Sequence, residues 1–165
     1  MKTLLIVRHA KSSWEDFAQP DFERPLNERG KKDAPEMAAR IREKGLKIDL
    51  FVSSPAKRAL RTARYFAEAF KQEKEDILQI EKLYEAPAAR FYEVINQLND
   101  KHETIALFSH NPGITDFVNT LTQVRIDNMP TCAVFAVSID TKKWAQCKEA
   151  EKSFLFFDYP KNPIA

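Results

Sequence analysis

Glycine is scarce in this chain, with three among 165 residues. That scarcity excludes the glycine-rich loops that cradle nucleotide phosphates, and neither GxGxxG nor GxxxxGKS/T occurs anywhere. Cysteine is scarcer still: Cys132 and Cys147 fit no CxxC or zinc spacing and are too few for a disulfide framework. Charge of neither sign dominates. Lys and Arg number 26 against 24 Asp and Glu, a net charge of +2, which argues against a dedicated nucleic-acid binder. Long apolar runs are absent too. The run Leu4–Val7 ends at Arg8 and His9, too short for a signal-peptide core, and nothing approaches the roughly 20 apolar residues of a membrane span. These absences describe a soluble cytoplasmic protein without a membrane or nucleic-acid partner.

What is present is enough apolar material for one core. The chain is 44% hydrophobic and 30% charged, and its length suits one domain over residues 1–165. Short apolar runs alternate with helical patterns. Strands are expected at Thr3–Val7, Asp49–Ser53, Ile77–Leu83, Ile105–Phe108, Cys132–Ile139 and Phe154–Tyr159. The first helix has Leu26, Gly30, Ala34, Met37, Ile41 and Gly45 on one face, with Asn27 as N-cap and Gly45 as stop. Further helices are expected to open at Pro55, Pro87 and Pro112. This alternation predicts an α/β protein, a single three-layer α/β/α domain with a mostly parallel central sheet.

In open α/β sheets, sites form beyond the carboxyl ends of the strands. Three such ends carry unusual residues: Arg8-His9, Ser53-Ser54-Pro55, and Ser109-His110-Asn111-Pro112. Arg58 follows one turn into the helix after the second. If these strands are parallel neighbours, two imidazoles and two guanidiniums share one pocket. Guanidiniums match phosphate oxygens in a bidentate manner, and helix N-termini at Pro55 and Pro112 would add backbone N–H groups. A neutral imidazole is a competent nucleophile. The set suggests phosphoryl transfer through a phosphohistidine, with no metal-ligand spacing and no cofactor.

The run LLIVRHAKSSW resembles the signature of the histidine phosphatase superfamily, which includes the phosphoglycerate mutases. SSPAKRALRTA (residues 53–63) and FSHNPGI (residues 108–114) resemble its second and third motifs, and ERPLNERG (residues 23–30) the segment before the first helix. Ala10 replaces the glycine of the RHG triplet, and the short chain is similar to the small SixA-like phosphohistidine phosphatases, which lack a long lid. The resemblance implies that His9 is the nucleophile, that Arg8 and Arg58 clamp the phosphoryl group, and that His110 donates a hydrogen bond to it. Arg24 would contact phosphate or substrate, or else form an ion pair with Asp21 or Glu23. Glu85 would be the acid/base residue, or else a solvated helix cap. Glu15 falls where many mutases place a phosphate-contacting Asn, and that contact is expected to be missing.

Several residues have plainer readings. His102 is expected in an exposed loop, Trp14 at a packing or rim position, and the aromatics of Phe154–Tyr159 in a core strand. The expected function is a metal-independent phosphatase acting on phosphohistidine in a signalling protein. Two alternatives stand beside it: a small-molecule phosphomonoesterase of the same superfamily, and a phosphate- or phosphoprotein-binding module without turnover.

Overall fold

The computed structural model describes residues 1–162. Six strands form one sheet in the order β3-β2-β4-β1-β5-β6. They are β1 (Lys2–Arg8), β2 (Leu50–Ser53), β3 (Leu78–Gln79), β4 (Thr104–Ser109), β5 (Val134–Ile139) and β6 (Lys152–Asp158). The first four pair in parallel, and β5 and β6 add an antiparallel edge. Helices α1 (Glu28–Arg42), α2 (Lys57–Ala69), α3 (Ala88–Asn96) and α4 (Gly113–Val118) connect them.

Side-chain alternation along the strands builds two cores. Leu4 and Ile6 of β1, with Ile105 and Leu107 of β4, pack with Phe91, Ile95, Phe117 and Trp144 on one side. Leu5, Val7, Ala106 and Phe108 face Ala34, Met37, Ile41, Ala63 and Phe66 on the other. The expected three-layer α/β/α architecture with a mostly parallel sheet is therefore what forms. β1 and β4, buried on both faces, read as continuous apolar runs for that reason.

Local departures have local causes. The strand expected over Ile77–Leu83 shrinks to Leu78–Gln79, because the chain turns into a 3₁₀ segment at Glu81–Leu83. Pro55 precedes α2 rather than opening it, and Pro87 and Pro112 are N-caps. β5 begins at Val134, since Cys132 sits at φ 62°, outside the extended region. The Phe154–Tyr159 stretch is core only in part: β6 is the sheet's outer strand, Phe154 and Leu155 are exposed on it, and Phe156, Phe157 and Tyr159 are half-buried against the two cores. His102 is half-buried, and its carbonyl accepts from Lys2 Nζ and Trp144 Nε1. Asn27 caps α1 as expected by accepting from the Gly30 amide at 2.9 Å. Gly45 lies past the helix end at φ 81° and is exposed, off the apolar face. Among the described residues no helix is long and apolar enough to cross a membrane.

Candidate active site

The register of β1 against β4 pairs Arg8 with Ser109, so His9 and His110 leave neighbouring strands at the same level. Their ring centroids are 5.3 Å apart. β2 ends on the other side of β4, and there Ser53, Ser54 and the first turn of α2 bring Arg58 to the same edge. Arg8, His9, Arg58, His110, Arg24 and Glu85 all line one cavity of about 490 Å³. Hollows of about 590 and 540 Å³ flank the far end of α2 but contain no histidine, so chemistry rather than size marks this site.

His9 is buried, and its Nδ1 lies 2.7 Å from the Ala10 carbonyl. A carbonyl can only accept, so Nδ1 carries the proton and Nε2 keeps the lone pair. Burial holds His9 well below the usual imidazole range; the Ala10 contact opposes this, and His110, Arg58 and Arg8 reinforce it. The ring is therefore neutral at neutral pH. The turn that bears it is fixed from below. The Ala10 amide donates to Thr62 Oγ1 at 2.9 Å, and Thr62 donates to the Arg58 carbonyl at 2.8 Å.

His110 is pushed down to about 3 by burial first and the Arg58 charge second; Asp21 opposes them, and Arg8 and Arg24 add smaller downward pushes. Its Nε2 lies 2.7 Å from Ser54 Oγ, and the Tyr84 ring meets its own edge-on at 5.6 Å. Arg8 donates through Nη1 to the Met129 carbonyl at 2.8 Å, and burial followed by the Arg58 charge lowers its proton affinity. Three buried nitrogens of this pocket, Arg8 Nε, Arg58 Nε and His110 Nδ1, have no hydrogen-bond partner among the described residues.

Asp21 has a larger role than its spacing suggests. Arg58 donates to its backbone oxygen at 2.7 Å and its carboxylate at 3.0 Å; Arg24 Nε donates at 3.0 Å and the Tyr84 hydroxyl at 2.6 Å. Although burial raises its pKa, the Tyr84 hydroxyl and the two guanidiniums outweigh that and hold Asp21 at about 2. Burial and the same carboxylate push Tyr84 up to about 12. In the sequence Asp21 stands out only as a partner for Arg24, and nothing marks Tyr84. The three-residue step from Asp21 to Arg24 was legible, but the contact with Arg58 depends on tertiary folding.

Arg24 is buried, ion-paired to Asp21 and donating to Ser12 Oγ at 2.6 Å, with its guanidinium carbon 3.5 Å from the Trp14 ring centroid. It thus forms the ion pair with Asp21 while still lining the pocket. Trp14 is a rim residue, 64% exposed. Glu85 is exposed on the rim at φ 56°; it is not a helix cap, because Pro87 holds that position before α3. Glu15 is exposed and does not line the cavity. The amides expected from the helix ends are partly committed elsewhere: Ala56 N–H bonds Ser54 Oγ at 3.3 Å, and Ile114 N–H the His110 carbonyl at 3.0 Å. Among the described residues no group of three or more His, Cys, Asp or Glu is placed to hold a metal ion.

The segment carrying Arg24 and Asp21 is pinned at both ends. Asn27 N–H bonds the Lys11 carbonyl, Ser13 N–H bonds that of Pro25, and Ser12 bridges Leu26. Gly30 permits this, because a Cβ there would lie 2.2 Å from the Lys11 oxygen.

One curated relative, an uncharacterized chloroplastic protein of Arabidopsis thaliana, is 36% identical over 63 residues, 38% of this chain and 29% of that protein. The match thus spans under a third of that relative's length. Over the whole fold, the chain is similar to a structure from Agrobacterium tumefaciens assigned as the phosphohistidine phosphatase SixA. The TM-score is 0.80 and the identity 23%, covering 96% of this chain and 98% of that one. It is also similar to a mycobacterial glucosyl-3-phosphoglycerate phosphatase in complex with VO3, with a TM-score of 0.73 and 15% identity over 96% of this chain and all (100%) of that one. The family model for branch 1 of the histidine phosphatase superfamily matches residues 4–87, just over half of the sequence, and the chain belongs to that superfamily.

Proposed function

We propose that this protein is a metal-independent phosphatase that works through a phosphohistidine on His9, with phosphohistidine on another protein as its substrate. One observation carries the reading: Arg8 Nε, Arg58 Nε and His110 Nδ1 are buried nitrogens without partners among the described residues, on three side chains that line the same pocket as His9. A tetrahedral anion would satisfy them, and such preorganised donors stabilise charge as it develops in the transition state. His9 Nε2 attacks phosphorus, the bond to the leaving group breaks, and the phosphoryl group moves to His9. Water then attacks the phosphohistidine, releasing inorganic phosphate and restoring the imidazole.

Proton supply and access support this substrate class. A phosphorylated imidazole whose second nitrogen is protonated departs neutral, so it needs no acid from the protein. An alkoxide leaving group needs a proton donor. Glu85 is the rim carboxylate outside any ion pair among the described residues, and Tyr84 holds its proton too tightly to give it up. The reacting groups lie at the base of the pocket, while Lys11, Trp14, Asp21 and Glu85 are exposed at its rim, a mouth that suits a side chain presented by another protein.

The deciding experiment compares turnover of a phosphohistidine protein with a panel of sugar and aryl phosphates, alongside trapping of acid-labile phosphate on His9. We expect faster turnover of the phosphohistidine protein, a trapped adduct and an inactive but folded His9→Ala. Glu85→Gln should spare phosphohistidine hydrolysis; selective loss of ester hydrolysis, with esters the better substrates, would favour the small-molecule reading. Activity that survives His9→Ala, or is abolished by chelation, would overturn the mechanism.

A further inference from the structure

We propose that Ser54 is a positioning residue that fixes the tautomer of His110, so that its single N–H points from Nδ1 into the pocket. Only the identity of the anion that receives this N–H rests on the phosphatase reading above.

The contact between Ser54 Oγ and His110 Nε2, at 2.7 Å, admits two arrangements. Either the hydroxyl donates to a bare Nε2, or a protonated Nε2 donates to the hydroxyl oxygen. Hydrogen-bond counting separates them. Ser54 is fully buried, and its oxygen already accepts from the Ala56 amide at 3.3 Å. Its proton still needs an acceptor, and among the described residues His110 Nε2 is the one within reach. The second arrangement would leave a buried hydroxyl proton unpaired, which native structures avoid. Ser54 is therefore the donor and Nε2 the acceptor. A neutral ring then carries its proton on Nδ1, the nitrogen that is buried and without a partner among the described residues, on a side chain that lines the pocket.

The consequence for the site is the sign of one dipole. With the proton on Nδ1, His110 presents a donor to the same space as Arg8 Nε and Arg58 Nε. With the other tautomer it would present a lone pair to an anion and repel it. His9 needs no such device, because a carbonyl can only accept from its Nδ1. A hydroxyl can donate or accept, so at His110 the bonding around Ser54 makes the choice. Neighbouring Ser53 plays a different part, donating to the Ser54 carbonyl at 2.8 Å.

Long-range proton–nitrogen spectra of the nitrogen-15-labelled protein resolve the tautomers of its three imidazoles. We expect His110 to show a protonated Nδ1 and a bare Nε2 at neutral pH. Ser54→Ala should populate both tautomers and weaken binding of inorganic phosphate about tenfold, the loss of one oriented donor. Ser54→Thr, which keeps the hydroxyl, should restore the single tautomer; Ser54→Cys, a weaker donor, should fall between. A proton on Nε2 in the unaltered protein, or an unchanged tautomer in a folded Ser54→Ala, would overturn the proposal. If the spectrum is as expected but the protein neither binds phosphate nor hydrolyses any phosphorylated substrate, the phosphatase reading fails and the tautomer assignment stands.

Discussion

Arg58 commits both terminal nitrogens to Asp21, one to its backbone oxygen and one to its carboxylate, while its buried Nε has no partner among the described residues. A flexible guanidinium is thereby fixed before any anion arrives, which removes part of the ordering cost of binding. Asp21→Ala frees Arg58, Arg24 and the Tyr84 hydroxyl together. We expect it to remain folded and to lose about tenfold in kcat/KM, on the scale of one charge-assisted hydrogen bond near the surface. Steady-state kinetics with circular dichroism would check this, and unchanged kinetics would rule out the role.

Arg24 makes two kinds of contact, polar ones to Asp21 and Ser12 and a stacked one on Trp14. Lysine can reproduce the charge but not the planar fork or the stack. Arg24→Lys is therefore expected to raise KM several-fold with little change in kcat, measured on the preferred substrate. A fall in kcat at unchanged KM would instead place Arg24 at the reacting atoms.

The two site histidines set the acid limit of stability. Both are depressed in the folded protein, His110 to about 3 from an ordinary 6.5. Between those values the unfolded chain binds the proton and the folded one does not, so stability falls as pH drops below 6.5. At about pH 5 the loss from one such histidine is on the order of 2 kcal/mol. Asp21, held at about 2, works in a lower window: its contribution is present above 3.8 and is lost as pH falls from there toward 2. Melting temperatures taken from neutral pH to about pH 5 should decline, and His110→Asn should flatten that slope. A slope that His110→Asn leaves unaltered would contradict the assignment.

Two glycines are held by contact. A Cβ at Gly113 would lie 1.8 Å from the Ala86 oxygen, and at Gly30 2.2 Å from that of Lys11. Both neighbours are backbone and cannot swing aside. Gly30→Ala and Gly113→Ala are each expected to cost roughly 2–4 kcal/mol in thermal unfolding. Loss below about 1 kcal/mol would show that the backbone yields.

Much of this was legible in the sequence because it depends on local pattern. The buried strands β1 and β4 announce themselves as unbroken apolar runs, and both end in the chemistry-bearing residues Arg8-His9 and Ser109-His110. Arg58 could be placed by its distance from the end of β2. What escaped is what chain folding brings together from far apart: Asp21 against Arg58 and Tyr84, and Ser54 against His110. β6 misled because its aromatics look apolar, whereas an outer strand has one side without a neighbour and leaves Phe154 and Leu155 to solvent.

The pairing of Arg8 with Ser109 has one more consequence. Adjacent strands lie about 4.8 Å apart wherever a sheet forms, and His9 and His110 are the residues that immediately follow that pair. The 5.3 Å interval between the two imidazoles therefore starts from the strand spacing of the sheet, and the contacts of Ala10 and Ser54 only orient the rings. The segment from Lys11 to Asn27 can then be redrawn for another partner, with new rim aromatics or a different carboxylate, and the strand register that sets the two imidazoles side by side stays the same.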